Sequence, residues 1–192
     1  MNNQEFADKK EKKAKKDPLW EVFSNVEMLA VAAALILLFF SFAARITVVD
    51  GGSMDDTLHN GDKLIVSDLF YTPERGDIVI VQSPDVLNSK VIVKRVIAIG
   101  GDTIEINPNG VYVNGELLDE TENGLGYAVK PYSYNGSKDQ VKLQLAAGEV
   151  FVMGDNRPDS LDSRAFGTVD ERTIVGKVIF RLSPFSSLGF VD

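Results

Sequence analysis

Apolar positions along this chain follow two regimes. From Met28 to Ala44 there are 17 residues without a formal charge. At about 1.5 Å of rise each, a helix of that length covers about 26 Å, slightly short of a hydrocarbon core, and Val22, Phe23 and Val26 can extend it. Beyond it the apolar residues come in short β-branched runs at 45–49, 63–66, 77–82, 91–99, 103–106, 111–113, 149–153 and 173–182, the pattern of strands. Hardly any stretch there has helical period. Asn60-Gly61, Asn109-Gly110 and Asn114-Gly115 are turn dipeptides, and 111–118 reads as a tight hairpin. The class predicted is all-β: a β-rich core with a smaller inserted β lobe, preceded by one N-terminal transmembrane helix. Polar and glycine content rises between Asp119 and Ala147, which places a less regular cap lobe at about 103–148 between two core strands. Asn135-Gly-Ser fits a glycosylation sequon, and equally a plain turn.

The organisation expected is a lysine-rich tail at 1–27, an anchor at 28–44 and an extracytoplasmic domain at 45–192. Lys9, Lys10, Lys12, Lys13, Lys15 and Lys16 all precede the apolar run, and only Arg45 and Lys63 follow closely. Counting basic residues, the tail belongs in the cytoplasm and the globular part outside, with Trp20 at the cytoplasmic interface. A cleaved secretory signal competes with this reading, because Ser41-Phe42-Ala43 resembles a small-residue cleavage site. Against it, the run continues without a breaker into strand-like 46–49. Either way the domain is exported. A buried helix of a soluble core is disfavoured by the lysine-rich flank.

Composition narrows the chemistry. The 192 residues leave about 150 after the anchor, enough for one folding unit with a real core. With no cysteine, a thiol nucleophile, thiolate metal sites and disulfides are excluded. His59 is the sole histidine and sits beside the Asn60-Gly61 turn, so a histidine-built zinc site is excluded and a solvated loop histidine expected. The net charge is -8, and residues 1–27 balance six lysines against six acids. The excess of negative charge therefore lies after the anchor, which argues against nucleic acid as a partner.

Three segments carry candidate chemistry. Ser53 follows Gly51 and Gly52, which let the backbone approach a bound peptide and point the Ser53 amide at a developing oxyanion; a plain glycine turn is the alternative. Lys94, 41 residues later, lies inside the run 91–99. Alternation puts Ile92, Lys94, Val96 and Ala98 on one face and Val91, Val93, Arg95 and Ile97 on the other. Either Lys94 snorkels from an edge strand, or it sits on an apolar face that depresses its pKa. An ordinary lysine is only about 0.1 % neutral at pH 7.4, and burial raises that fraction by orders of magnitude. A neutral amine can take a proton from serine, the Ser/Lys variant of triad logic. Arg95, on the opposite face, needs a carboxylate partner if buried. The third segment, 153–167, packs Asp155, Asn156, Ser160, Asp162 and Arg164 directly after an apolar strand. It reads as a charged surface loop or as a hydrogen-bonded scaffold that positions other groups, and the second suits its residues better.

Gly52-Ser-Met-Asp-Asp-Thr-Leu58, Gly61-Asp62, Gly76-Asp-Ile-Val-Ile-Val81, Lys94-Arg-Val-Ile-Ala-Ile-Gly-Gly-Asp102, and Gly154-Asp-Asn-Arg through Asp162-Ser-Arg164 together resemble the bacterial type I signal peptidases, membrane-anchored Ser/Lys proteases that remove signal peptides. The resemblance spans the anchor and nearly all of the exported part. It implies Ser53 as nucleophile, Lys94 as general base, and Ser160 hydrogen-bonded to the Lys94 amine. It also implies that Arg95 pairs with Asp155 and Asp162 with Arg164. Val49, Met54, Leu58, Leu64, Ile92 and Val93 match the family's substrate pockets, which accept alanine one and three residues before the cut; core packing explains the same six. No metal or nucleotide cofactor is implied. The partners are signal peptides of exported preproteins, membrane lipid and the secretion machinery.

Two positions depart from the family pattern. Asp56 stands where members usually have proline, adding a carboxylate beside the nucleophile. Gly51 stands where some relatives carry a serine whose hydroxyl joins the oxyanion hole. Asp56 makes a catalytically impaired, peptide-binding homologue the alternative function. Self-cleaving repressors share the Ser/Lys pair but need a DNA-binding head where this chain has its apolar run. Penicillin-recognising enzymes are excluded by the absence of Ser-x-x-Lys and Lys-Thr-Gly.

Overall fold

The computed structural model describes residues 18–55, 57–82, 91–107, 109–118 and 141–191. The lysine tail, Asp56, Asn135-Gly-Ser and the stretch 119–140 of the expected cap lie outside the described residues. The chain forms two compact units that divide between Phe42 and Ala43.

In the first unit, helix α1 runs Pro18–Ala43. Proline opens it without loss, because its missing N–H would have no intrahelical partner in the first turn. The expected anchor began at Met28, and the helix begins earlier because Glu21 and Glu27 are good helix formers: charge marks a membrane boundary, not the end of a hydrogen-bonded ladder. Within it, Leu19–Leu38 is 20 residues long with a mean hydropathy of 1.8 and none of it buried. At about 30 Å this stretch matches the hydrocarbon thickness that 28–44 alone fell short of.

The second unit is built on antiparallel strands. Its main sheet contains β1 (Arg45–Val48), β2 (Lys63–Ser67), β3 (Ile78–Gln82), β4 (Val91–Ile99), β9 (Glu149–Met153), β10 (Val169–Asp170) and β11 (Ile174–Ser183). They run in the order β1-β2-β11-β3-β4-β9-β10, with β12 (Gly189–Phe190) paired to β11. A second sheet, ordered β7-β6-β5-β8, holds β5 (Thr103–Asn107), β6 (Gly110–Val113), β7 (Glu116–Leu117) and β8 (Val141–Gln144). The chain enters it from β4 through Gly100-Gly101 and leaves it into β9. A Cβ at Gly100 would lie 2.9 Å from the Ala146 carbonyl oxygen, so glycine is what lets the two crossings touch. Asp102 closes the junction by accepting from Arg75, Asn114 and the Ile99 amide.

Three apolar clusters fill the unit. Val49, Met54, Leu58, Leu64, Val66, Ile78, Ile80, Val178 and Val191 form one. Val79, Val81, Val96, Val150, Val152 and Val169 form a second, with Ile92 against it. The third joins Ile97, Ala98, Phe151 and Met153 to the smaller sheet's Ile104, Ile106, Val111 and Val113. Strict alternation along β4 fails at one point: Ile97 and Ala98 enter the same cluster. The pairing of β4 with β9 shifts register between Val96 and Ala98, and such a bulge turns the following side chain to the other face.

Candidate active site

Between β1 and β2 the chain makes a loop closed at its neck, with Val49 N–H donating to Asp62 O and Gly61 N–H to Val49 O, both at 2.9 Å. Inside it, Met54 O accepts from Thr57 N–H at 3.0 Å and Leu58 N–H at 2.8 Å, a single helical turn. That turn sinks Met54 and Leu58, 1% and 0% exposed, into the first apolar cluster. Burying each stabilises the loop by about 2 kcal/mol. Ser53 stands just ahead of these two anchors. Gly51, at φ +101, takes a conformation closed to most side chains, and its N–H donates to Asn60 Oδ1.

Lys94 comes from the middle of β4, opposite Val79 on β3, with Ile92 and Val96 as its same-side neighbours along the strand. It is 2% exposed. Its Nζ donates to Ser53 Oγ at 2.5 Å and to the Val93 carbonyl at 3.0 Å. Burial pulls the ammonium down to about 8, while the Asp162 and Asp155 carboxylates oppose that fall and Arg164 adds to it. At such a pKa about a fifth of the amine is neutral at pH 7.4, about two-hundredfold more than for an ordinary lysine.

The segment after β9 surrounds this pair with buried charge. Arg95 Nε and Nη2 grip Asp155 at 3.0 and 2.9 Å, and its Nη1 donates to Gly76 O at 2.7 Å. Asp162 caps helix α2 (Ser163–Phe166) by accepting from Arg164 N–H. The same carboxylate receives Arg164 Nε at 2.8 Å, Arg164 Nη2 at 2.7 Å and Gly154 N–H at 3.0 Å. Burial pushes Asp162 toward its neutral form, but the Arg164 and Gly154 hydrogen bonds outweigh it and hold the carboxyl below its usual range. Both buried carboxylates are paired and hydrogen-bonded, Asp155 to Arg95 and Thr57, Asp162 to Arg164 and Gly154.

A family model for signal peptidase, peptidase S26, matches residues 22–183. This chain belongs to the signal peptidase S26 family. Membership makes it a peptidase. The probable signal peptidase I-1 of Synechocystis sp. is 35% identical over 180 residues, which is 88% of this chain and 87% of that protein. Signal peptidase IB of Staphylococcus aureus strain MRSA252 is 34% identical over 177 residues, 85% of this chain and 91% of that one. A crystal structure of a signal peptidase I from Enterococcus faecalis V583 aligns at 30% identity with a TM-score of 0.45, over 56% of this chain and 97% of that chain.

Among the S26 residues marked in the sequence, Ser53, Lys94, Arg95, Asp155, Asp162 and Arg164 come together as described. Ser160 stands differently. Its buried Oγ makes no hydrogen bond to the Lys94 amine, and Lys94 Nζ is directed to Ser53 and Val93 instead. The hydroxyl lies toward Asp162, whose ionised form it favours, and it crowds the same point beside Gly154 as Ser53 O: a Cβ on Gly154 would be 2.2 Å from Ser160 Oγ and 2.4 Å from Ser53 O. Of the six expected pocket residues, Val49, Met54, Leu58 and Leu64 are buried within one cluster with Val93 against its edge, whereas Ile92 packs on the second cluster. Only Val93 and Ile92 retain partial exposure.

Sequence reasoning passed over Thr57 and Asn60, and it left Asn156 in the polar scaffold without a partner. Thr57 Oγ1 donates to Asp155 Oδ2 at 2.7 Å. Asn156 reaches the nucleophile's own backbone, N–H to Ser53 O at 3.1 Å and Nδ2 to Gly52 O at 2.9 Å. Thr57 and Asn156 stand inside the motif blocks, but spacing alone does not say that two blocks so far apart in the chain face each other.

Proposed function

We propose that this peptidase cleaves signal peptides from exported preproteins after small residues, with Ser53 as nucleophile and Lys94 as general base. The observation that carries this reading is the 2.5 Å contact between Lys94 Nζ and Ser53 Oγ, made by a lysine that burial holds near neutrality. Neutral Lys94 takes the hydroxyl proton as Ser53 Oγ attacks the scissile carbonyl, and the Ser53 N–H faces the oxyanion that forms. The proton passes from Lys94 to the departing amine, leaving an acyl-enzyme. Water, deprotonated by Lys94, then attacks the ester and Ser53 recovers its proton. The substrate lies extended along a strand edge, with Val93 and Ile92 at the partly open apolar surface near the pair. Arg95, Asp155, Asp162 and Arg164 hold the frame. Ser160, whose hydroxyl lies beside Gly154 and toward Asp162, is the group that turns to the amine as the proton moves.

The domain boundaries that go with this reading are a cytoplasmic tail at 1–27, an anchor at 28–44, and an extracytoplasmic peptidase domain at 45–192 carrying a cap lobe at about 103–148. The lysine-rich side sets the orientation. On that orientation the peptidase domain is on the side of the membrane where preproteins emerge, and its partners are signal peptides, membrane lipid and the secretion machinery. The experiment is cleavage of a preprotein whose signal ends in Ala-x-Ala by membranes carrying the parent, Ser53→Ala or Lys94→Ala. Both variants are expected to lose cleavage while remaining folded, and full activity in either would overturn the mechanism.

A further inference from the structure

The Ser53–Lys94 pair is made by two segments that share no backbone ladder: a loop between β1 and β2, and the middle of β4. Their separation therefore depends on whatever spans them, and three side-chain contacts do so. Asp155 accepts Arg95 Nε and Nη2, and Arg95 directly follows Lys94 on β4; the remaining contact on that carboxylate comes from Thr57 Oγ1, which rides on the helical turn directly behind Ser53. One carboxylate thus grips the strand of the base and the turn of the nucleophile. Next to it, Asn156 takes hold of the two carbonyls flanking the Ser53 nitrogen and Cα, Gly52 O through Nδ2 and Ser53 O through its own N–H. Gly154 completes the seam, since a Cβ there would lie 2.4 Å from Ser53 O.

We propose that Thr57 and Asn156 are positioning residues that set the Ser53 Oγ to Lys94 Nζ distance, Thr57 by hanging the nucleophile's turn on Asp155 and Asn156 by fixing its backbone. This rests on the Ser/Lys reading above. Neither residue touches the reacting atoms, and both are only partly buried, so each can be changed without opening a cavity in an apolar cluster. Proton transfer over a hydrogen bond is steep in distance. A displacement of about 1 Å costs up to about a hundredfold in rate without weakening substrate binding.

The test uses the full chain in membranes, with kcat and KM on a preprotein and the thermal midpoint measured for each variant. Thr57→Val keeps the shape and removes the donor; Thr57→Ser restores it; Asn156→Ala removes the Nδ2 contact and keeps the main-chain one. Thr57→Val and Asn156→Ala are expected to lower kcat by about tenfold or more with KM within about twofold, and Thr57→Ser to recover most of the loss. Ser53→Ala and Lys94→Ala serve as references. If those references stay active, the Ser/Lys reading itself fails. Where they are dead while Thr57→Val and Asn156→Ala keep parental kcat, the positioning role alone is overturned. A loss that merely tracks the folded fraction, with kcat per folded molecule unchanged, overturns it too, as does equal loss in Thr57→Ser and Thr57→Val.

Discussion

Asp162 works against the burial of Lys94. Burial lowers the lysine's pKa, the Asp162 carboxylate is the largest influence raising it, and the balance settles at about 8. Without that carboxylate the amine would be neutral more often but less basic, and a base gains from being poised near the working pH. Asp162 is itself kept charged by Arg164 and the Gly154 amide. Burial thus sets the direction in which the amine's proton affinity moves, and an ion pair that makes no hydrogen bond to it adjusts how far.

The first expectation concerns pH. If neutral Lys94 is the base, kcat/KM rises as pH rises through about 8 and then levels off. Rates measured from pH 6 upward on one preprotein check it. An activity flat across that range would remove Lys94 as the group that must lose a proton.

The same group bears on stability with a definite sign. Lys94 is charged in the unfolded chain up to about the ordinary lysine value of 10.5, but in the folded domain only up to about 8. Between those values the unfolded state binds more protons, so stability rises with pH, and below about 8 the buried charge weighs against folding. Lys94→Met removes that burden. The variant is expected to exceed the parent by about 1–3 kcal/mol near pH 7, with the advantage shrinking as pH climbs toward 10.5. Denaturant titrations of parent and variant at pH 7 and pH 10 measure the difference.

The all-β class, the strands and the apolar helix were legible because periodicity and turn residues are local. Lys94 was legible for a related reason: a charge between Ile92 and Val96 contradicts its own strand. Three things were not. The β4 bulge turns Ala98 toward Ile97, and its cause lies in pairing with β9, distant in sequence. Thr57 and Asn156 act across loops far apart in the chain, and their residue types name no partner. Which of the pocket residues read from the motif are buried was the third: Val49, Met54, Leu58 and Leu64 lie in a core cluster, and an apolar side chain beside a site looks the same in sequence whether it faces substrate or the interior.

Arg95→Met tests the frame. Asp155 is 0% exposed, and removing Arg95 leaves a buried carboxylate with Thr57 as its remaining side-chain donor. Breaking such a pair from one side costs about 3–5 kcal/mol. Urea denaturation gives the figure directly, and a loss under 1 kcal/mol would mean that the pair is solvated in solution.

Ser160→Ala separates two kinds of importance. Its hydroxyl lies toward Asp162 and makes no bond to the Lys94 amine, so losing it changes stability by about 1 kcal/mol. As the group that turns to the Lys94 amine, it should nevertheless lower kcat and leave KM alone. Parental kcat in Ser160→Ala would take it out of the proton relay.

Gly154→Ala should be far more damaging than its single methyl suggests. The added carbon would meet Ser160 Oγ at 2.2 Å, Ser160 Cβ at 2.6 Å and Ser53 O at 2.4 Å. A hydroxyl can rotate away, but Ser53 O belongs to the backbone of the nucleophile and already accepts from Asn156 N–H. The clash is relieved only by moving the Ser53 loop or the segment after β9, and either motion stretches the 2.5 Å contact to Lys94. Cleavage is therefore expected to fall at least about a hundredfold. Cleavage kinetics of membranes carrying Gly154→Ala check it, and parental kcat would show that the loop absorbs the methyl without moving Ser53.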